Sequence, residues 1–247
     1  MIADADVAAI ERATLAAVGV TDPVEIDGWL VARNPGPIRR AASAAPLSHA
    51  ASLTDETLAR IEALYDERAL PAAFRLGDSV GLGAARATLA AAGYRDEQPT
   101  LVMVGEAAGL AGLSKQSAET IDKPDDGWRS VFLGEGFDPA EGVHRAAVLA
   151  RAKDAVFARV QEGGSTLAVG VASLSEGWAS VHGMRTALQH RGRGLAGGVL
   201  SALGEAIASR DVPRVFLQVE EANAPARALY ARAGFVTGWR YRYWINS

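Results

Sequence analysis

A glycine- and arginine-rich segment, RGRGLAGG, occupies residues 191–198 and has the composition of an anion-binding loop. The residues before it are typical of a strand, and those after it, VLSALGEAIA, are typical of a helix. Backbone N–H groups at a helix N-terminus point outward, and the helix dipole favours negative charge there. The glycines allow the main chain to approach a ligand closely, and Arg191 and Arg193 add positive charge. The segment therefore predicts a phosphate-binding loop.

One interpretation of this loop is the dinucleotide-binding motif G-x-G-x-x-G, which Gly192, Gly194 and Gly197 match. That motif needs a parallel βαβ unit and an acidic residue at the end of the following strand. Asp211 precedes the next predicted strand, and Glu220 comes too late. The sequence also lacks the G-K-[ST] of a nucleoside-triphosphate loop. The context therefore disfavours both kinds of nucleotide site.

A second interpretation uses R-x-x-G-x-A, which spans Arg191 to Ala196, together with NAPARALYARAGF at residues 223–235. These segments resemble the pyrophosphate loop, [RQ]-x-x-G-x-[GA], and a second signature, N-x-x-A-x-x-L-Y-x-x-x-G-F, of the GNAT acetyltransferases. They occur in the family's order, after an antiparallel meander and on either side of a helix and a strand. The resemblance covers residues 127–247. It implies an α/β protein of the α+β type with the GNAT fold, in which helices flank a mixed, mostly antiparallel sheet.

The GNAT resemblance implies that acetyl-CoA is the co-substrate. Backbone amides of the loop would hold its pyrophosphate, and the main chain of residues 184–186 would pair with its pantetheine arm like an added strand. Asn223 would hold the coenzyme arm or cap the following helix, and both roles stay open. No metal ion is expected, because cysteine is absent and the four histidines lack H-x-x-x-H spacing. The residues assigned to the coenzyme are Met184, Arg185, Thr186, Arg191, Gly192, Arg193, Gly194, Leu195, Ala196, Gly197, Asn223 and Ala226.

The catalytic candidates are Tyr230, His182 and Glu220. By resemblance, Tyr230 donates a proton to the departing thiolate, and a phenol with a pKa of about 10 keeps that proton at neutral pH. Packing is the alternative role of this ring. His182 should share a strand face with Ser180 and Met184, and its near-neutral reference pKa makes it one candidate base. Glu220 ends a predicted strand where substrate could enter and is another, although deprotonation through water would need no dedicated base.

Two parts of the chain resemble each other at a constant offset. Residues 70–94 and 212–235 share the order proline, strand, helix and glycine–aromatic pair. Gly93 corresponds to Gly234, and Arg86 corresponds to Arg227 at the same offset. The alternative explanation is chance similarity between two alanine-rich helices. Because the whole order is shared, we predict two lobes built from one repeated unit.

The two copies differ at the positions that would carry chemistry. The first copy has AAPLSHAASLT in place of the glycine loop and Leu89 in place of Tyr230. The segments DGWLVARNPGPIRRAASAAPL and RDEQPTLVM also resemble the extra lobe of two-lobed, actinobacterial-type GNAT members. We therefore predict a degenerate GNAT-like lobe at residues 1–110, a linker at 111–126 and the catalytic domain at 127–247.

Local patterns predict several element boundaries. VEIDGWLVARN and PIRRAAS, residues 24–34 and 37–43, predict two strands around the turn NPGP. Thr54 and Asp138 precede helical patterns and are predicted N-caps.

Composition bounds the location and partners of the protein. A net charge of −4 argues against a broad nucleic-acid surface. The N-terminal segment MIADADVAAIERATLAAVGV carries acidic residues where a signal peptide carries Lys or Arg. No uncharged stretch approaches the ~20 apolar residues of a membrane span. We expect a cytoplasmic monomer or homodimer without a nucleic-acid or membrane partner.

The function that the sequence predicts is acetyl-CoA-dependent N-acetyl transfer to a primary amine of a small molecule or peptide. One alternative is a non-catalytic module that binds acyl-CoA as a sensor or scaffold. A dehydrogenase is the third, since it would use the same loop for a dinucleotide.

Overall fold

The computed structural model describes residues 2–136 and 138–246. Its helices are α1 (Asp4–Ala17), α2 (Asp55–Asp66), α3 (Gly83–Ala91), α4 (Ala107–Leu110), α5 (Asp126–Ser130), α6 (Pro139–Leu149), α7 (Leu195–Ala208) and α8 (Ala224–Arg232). Its strands are β1 (Val24–Ile26), β2 (Trp29–Val31), β3 (Ala44–Pro46), β4 (Ala73–Gly77), β5 (Arg95–Glu106), β6 (Glu119–Ile121), β7 (Ala155–Glu162), β8 (Ser165–Ser175), β9 (Trp178–Thr186), β10 (Arg214–Glu220) and β11 (Val236–Ile245). Short 3₁₀ turns lie at Arg39–Ala42, Val80–Leu82 and Leu188–His190.

The described strands form one sheet in the order β1-β2-β3-β4-β11-β5-β10-β9-β8-β7-β6. Neighbouring strands are antiparallel except for the parallel pairs β3–β4 and β9–β10. The predicted mixed, mostly antiparallel sheet flanked by helices is therefore confirmed.

The two repeated units exchange their last strands at the centre of this sheet. Helices α3 and α8 begin at Gly83 and Ala224, and the strands that follow them, β5 and β11, begin at Arg95 and Val236 with the same offset. Strand β5 pairs with β10 of the second unit, whereas β11 pairs with β4 of the first. Strands β5 and β11 then pair with each other. Each half of the chain therefore completes the sheet of the other.

Helices cover both faces of the sheet. Helix α7 packs in one cluster with Ala168 of β8 and Val181 of β9. Helices α5 and α6 pack with Val169 and Val171 of β8. Since successive residues of a strand point to opposite faces, α7 lies on one face and α5 and α6 lie on the other. Helix α1 packs with Phe216 of β10, and its residues also contact β8 and β9 on the α6 face.

A buried ion pair fixes α1 to the sheet. Arg75 Nη2 of β4 donates to Glu11 Oε2 of α1 at 2.6 Å, and both side chains are at most 5% exposed. Arg75 Nε also donates to Ser43 Oγ at 3.1 Å. A buried charge is tolerated when it is paired and hydrogen-bonded, so this pair specifies where α1 lies.

The structure confirms the predicted caps and corrects two strands. Thr54 Oγ1 accepts the N–H of Thr57, and Asp138 Oδ1 accepts the N–H of Glu141. The predicted strand at 24–34 is instead a hairpin, β1 and β2, which turns at Asp27 with a φ of +48°. The predicted strand at 37–43 is wrong, because residues 39–42 form a 3₁₀ turn and β3 begins after it. Most apolar residues of both segments are buried, so composition alone could not separate strand from turn there.

The segment predicted as a linker contacts the second half of the chain. Residues 119–121 form the edge strand β6, which pairs with β7. The N–H of Ser114 donates to Ser201 Oγ of α7 at 3.0 Å. A Cβ on Gly198 would lie 2.7 Å from the carbonyl oxygen of Gln116, so glycine allows α7 to pack closely on this segment. The predicted domain boundaries stay predictions.

Candidate active site

Strands β9 and β10 separate part of the way along their length. They pair in parallel from Ala179 and Val215 to Val181 and Leu217. In the part of the chain that the structure describes, residues 182–186 of β9 pair with β8 alone, and the end of β10 pairs with β5 alone. The backbone edge of β9 that faces β10 is therefore unpaired over these residues and can accept an extended ligand.

A β-bulge lies at the point where β9 leaves β10. The β8–β9 register shifts between Val169 and Val171, and Gly183 has a φ of +62°. A Cβ on Gly183 would lie 2.9 Å from Leu149 Cδ1, so glycine fits the bulge for two reasons. The bulge breaks the predicted alternation of His182 and Met184. Met184 packs instead with the cluster of Val181, on the α7 face.

The glycine loop ends at an open helix N-terminus. Gly192 and Gly194 have φ values of +77° and +79°, in the left-handed region that glycine adopts most readily. Gly194 caps α7 without a side-chain hydrogen bond. A Cβ on either glycine would meet no atom within 4 Å. The outward N–H groups of residues 192–196 therefore border open space, as an anion site requires.

The remaining loop residues have unequal roles. Arg193 Nη2 donates to both carboxylate oxygens of Glu162, at 2.7 and 2.8 Å, so part of its charge is neutralised within the protein. Arg191 is exposed, and its Nε lies 3.5 Å from the carbonyl oxygen of Thr186. The N–H of Gly197 donates to Gly194 O at 3.0 Å. Arg191 is therefore the better placed of the two arginines to contact an anion.

Asn223 caps helix α8. Its Oδ1 accepts the N–H of Ala226 at 3.2 Å, and Pro225 lies in the first turn of the helix. Ala226 is partly buried and packs on the core cluster that also contains Tyr230. A coenzyme contact by Asn223 or Ala226 stays a prediction.

Tyr230 lies inside the protein on α8. It is 8% exposed and packs in the cluster that contains Leu195, the first residue of α7, and Val219 of β10. Burial raises the pKa of Tyr230 to about 12. The phenol therefore keeps its proton at neutral pH, as a proton donor must.

His182 is buried on the opposite face of the sheet. Its Nδ1 lies 3.1 Å from the carbonyl oxygen of Ser180 and 3.3 Å from Ser180 Oγ. Burial and then the positive charge of Arg40 lower the pKa of His182 to about 4. The ring is therefore neutral at pH 7 and binds a proton only weakly.

Glu220 stands at the mouth of the gap between β9 and β10. Its Oε1 accepts the Nε2 hydrogen of Gln98 at 2.8 Å, and the side chain is exposed. By alternation along β10 it points to the same face as Gln218. The neighbouring Glu221 is held by Arg240 at 3.2 Å. Glu220 is exposed to water, whereas Tyr230 and His182 are buried.

The structure adds polar residues that sequence analysis missed. Gln218 Nε2 donates to Thr14 Oγ1 of α1 at 2.8 Å, and Tyr241 OH donates to Gln218 Oε1 at 2.9 Å. Arg40 Nη1 lies 3.5 Å from the same Gln218 oxygen. Thr14 and Arg40 belong to the first half of the chain, so both halves build this side of the site. The arginine pair at residues 39–40 could have indicated a functional role for Arg40. This segment was assigned to a strand, and the pair was given no such role.

Neither a metal site nor a membrane-spanning helix is found among the described residues. Among residues 2–136 and 138–246 no group of three or more His, Asp or Glu side chains is arranged to bind a metal ion. No helix in the described residues is long and apolar enough to cross a membrane. An open cavity of about 630 Å³ lies at the other end of β7 and β8, lined by Lys123, Arg129 and Arg210 with Asp122 and Asp154 among others. Its mixed surface charges show no convergence on one reacting atom.

Comparison with known proteins gives the family. The family model described as "Probable histone acetyltransferase Rv0428c C-terminal" matches residues 4–244. A curated protein of Bacillus subtilis (strain 168), named "Uncharacterized N-acetyltransferase YobR", is 25% identical over 247 residues, which cover 98% of this chain and 99% of that protein.

Solved structures show the same fold at low sequence identity. A GCN5-related N-acetyltransferase from Kribbella flavida matches with a TM-score of 0.72 at 13% identity, over 96% of this chain and 94% of that one. A tandem GNAT protein from the clavulanic acid biosynthesis pathway matches with a TM-score of 0.60 at 17% identity, over 82% and 74% of the two chains. The second match is consistent with the two-lobed form. The chain therefore belongs to the family described as probable histone acetyltransferase Rv0428c C-terminal and is an N-acetyltransferase of the GNAT type.

Proposed function

We propose that this protein transfers the acetyl group of acetyl-CoA to a primary amine. One observation carries the proposal: the unpaired edge of β9, residues 182–186, is followed, after the turn at Leu188–His190, by the open N-terminus of α7. An unpaired strand edge binds an extended amide-containing chain, and a helix N-terminus binds phosphate. Acetyl-CoA carries both groups in series, which fits this sequence of sites.

Binding uses the main chain more than side chains. The backbone of Met184 to Thr186 pairs with the pantetheine amides. The N–H groups of residues 192–196 hold the pyrophosphate, and the exposed Arg191 adds charge there. Backbone donors around the bulge at Gly183 polarise the thioester carbonyl, because the bulge turns main-chain groups out of the regular ladder.

The chemistry is one acyl transfer. The amine nitrogen forms a bond to the thioester carbonyl carbon, the carbon–sulfur bond breaks, and the coenzyme leaves as a thiolate. Tyr230 gives the thiolate a proton and regains one from solvent before the next turnover. The amine loses a proton to water that Glu220 orients at the mouth of the gap. His182 stays neutral and supports the strand through Ser180.

Turnover separates this proposal from an acyl-CoA sensor. The experiment mixes the protein with acetyl-CoA and a panel of amines and follows the release of free thiol. Calorimetry with acetyl-CoA alone, and with NAD, runs in parallel. The proposal expects acetyl-CoA binding and thiol release that depends on an amine. Binding without release by any amine would favour the sensor, and binding of NAD instead of acetyl-CoA would favour the dehydrogenase.

A further inference from the structure

Three arginines from distant parts of the sequence converge beside the open edge of β9. Arg40 lies in the 3₁₀ turn at 39–42, Arg145 on α6 and Arg185 on β9. We call these three residues the arginine cluster. All three are half-buried. They come from three separate segments and from both lobes of the chain.

Packing contacts place the elements of the cluster against one another. Ala41 of the turn packs with Val148 of α6 in one apolar cluster. The guanidinium carbon of Arg185 lies 5.3 Å from the ring centre of Phe132, which packs beneath α6. Arg40 Nη1 lies 3.5 Å from Gln218 Oε1 on β10. These contacts place the three arginines on the α6 face, beside the gap between β9 and β10.

The positive charges of the cluster act on one another. Burial and then the charge of Arg40 lower the pKa of Arg145. Burial, and then the charges of Arg145 and Arg191, lower the pKa of Arg185 to about 10. Like charges that act on one another in a half-buried place are unfavourable, and a bound anion relieves that repulsion.

The protein supplies little compensating charge. In the described part of the chain neither Arg40 nor Arg145 forms an ion pair, although Glu141 and Glu220 attract Arg145 from farther away. Glu141 is exposed on α6, and Glu220 accepts a hydrogen bond from the neutral Gln98 and acts on Arg145 without forming an ion pair with it. Within the described residues Arg40 and Arg145 therefore have no carboxylate in contact, and an additional anion would be favourable beside them.

The coenzyme pyrophosphate is poorly placed to be that anion for Arg40 and Arg145, although Arg191 of the pyrophosphate loop acts on Arg185. The N-terminus of α7 belongs to the face opposite α6, because α7 packs with Ala168 and Val181 while α6 packs with Val169 and Val171. Of the coenzyme, only the thioester would approach the α6 face, where the arginine cluster lies. The amine acceptor approaches from that side, so its own charges meet the cluster.

We infer that the acceptor amine carries an oxyanion, a carboxylate or a phosphate, which Arg40 and Arg145 bind while the amine reaches the thioester. This inference rests on the proposed function. Guanidinium groups hold carboxylate and phosphate oxygens in paired hydrogen bonds, and Arg185 adds charge from the strand itself. The anion fixes the orientation of the amine, which raises the efficiency of transfer.

The test compares acceptors that differ only in the anion. One arm uses α-amino acids and their carboxamides, and the other uses an amino sugar with and without a 6-phosphate. Binding to the acetyl-CoA complex is measured by calorimetry and turnover by thiol release. We expect the anionic member of one pair to bind about 10- to 100-fold more tightly than its neutral partner, as charge-assisted hydrogen bonds do. The pair that responds identifies carboxylate or phosphate.

Arginine variants assign the effect to the cluster. R145Q and R40Q should lower affinity for the anionic acceptor about 10-fold or more and leave affinity for the neutral partner unchanged. R145K should recover part of the loss, and R210Q, an equal charge change on an exposed residue beyond the end of α7, should have no effect. Acetyl-CoA affinity and melting temperature, measured on each variant, exclude unfolding.

Failure of the inference differs from failure of the proposed function. Equal binding of anionic and neutral acceptors, with turnover of both, would overturn the anion site and keep the transferase. Anion-selective binding that R145Q abolishes, without any turnover, would keep the anion site and overturn the transferase. Loss of acetyl-CoA affinity in R40Q and R145Q, with unchanged acceptor selectivity, would assign the cluster to the coenzyme and overturn the inference.

Discussion

Val181 and Leu217 form the last residue pair that joins β9 to β10. Immediately after this pair β9 enters the bulge region, and β10 continues along β5 alone. Two parallel strands that separate inside a sheet leave main-chain donors and acceptors unsatisfied, which a folded protein tolerates where water or a ligand reaches them. This separation opens the place where the coenzyme is proposed to bind.

Gly194→Asp should abolish acetyl-CoA binding in a folded protein. The φ of +79° at this position is accessible to Asp and Asn, so backbone strain is similar in both variants. A carboxylate beside pyrophosphate oxygens should lower affinity by about 100-fold or more, because like charges in contact cost several kcal/mol. Gly194→Asn is the matched neutral control and should lose much less. Calorimetry that finds equal affinity in the two variants would remove the loop from the coenzyme site.

Tyr230→Phe should act on the chemical step. The ring and its packing remain, so melting temperature and the KM for acetyl-CoA should hold. Loss of a general acid lowers kcat by about 10²- to 10⁴-fold, and we expect the lower end because a thiolate is a good leaving group. Tyr94→Phe is the control: it removes a hydroxyl that donates to Glu62 Oε1 at 2.8 Å, far from the site. A Tyr230→Phe enzyme that keeps more than about half of the wild-type kcat would show that Tyr230 only packs.

Leu89→Ala tests the degenerate role of the first unit. Leu89 is fully buried and occupies the position in the first unit that corresponds to Tyr230 in the second. Its truncation should destabilise the protein by about 2–4 kcal/mol, measured by denaturant unfolding, and leave acetyl-CoA affinity unchanged. A large loss of coenzyme affinity at unchanged stability would mean that the first unit takes part in binding.

Features that depend on residues close together in the sequence could be predicted from it. The caps at Thr54, Asp138 and Asn223 depend on contacts within one helical turn, and all three are present. The helices of the repeat keep their offset because they share a local pattern. The exchange of β5 and β11 between units depends on pairings between distant parts of the sequence, which no local pattern encodes.

The acceptor side of the site also depends on contacts between distant parts of the sequence, so it could not be predicted from local patterns. Arg40 and Arg145 lie in different halves of the sequence, and only the packing of α6 on the 39–42 turn brings them together. The bulge at Gly183 was also hidden, because a regular alternation fits the sequence equally well until the register is known. The glycine loop and the segment at residues 184–186 could be proposed from the sequence. The arrangement of Arg40 and Arg145 could be recognised only in the folded structure.

His182 should make stability depend on pH. Its pKa is about 4 in the folded protein and about 6.5 in the unfolded chain, so the unfolded state binds the proton more readily. The free energy of unfolding should therefore be highest above pH 6.5 and fall as the pH drops toward 4, by up to about 3 kcal/mol. His182→Asn should flatten this slope in urea titrations at pH 7 and pH 5. An unchanged slope would show that another group causes the acid sensitivity.

A structure from crystals of the protein soaked with acetyl-CoA tests the position of the coenzyme most directly. We expect the pantetheine arm between β9 and β10, hydrogen-bonded to the main chain of residues 184–186, with the pyrophosphate at the N–H groups of residues 192–196. The thioester should then lie at the bulge, with the arginine cluster facing the acetyl group. A coenzyme bound in the first lobe, or in the cavity lined by Lys123, Arg129 and Arg210, would contradict the central claim.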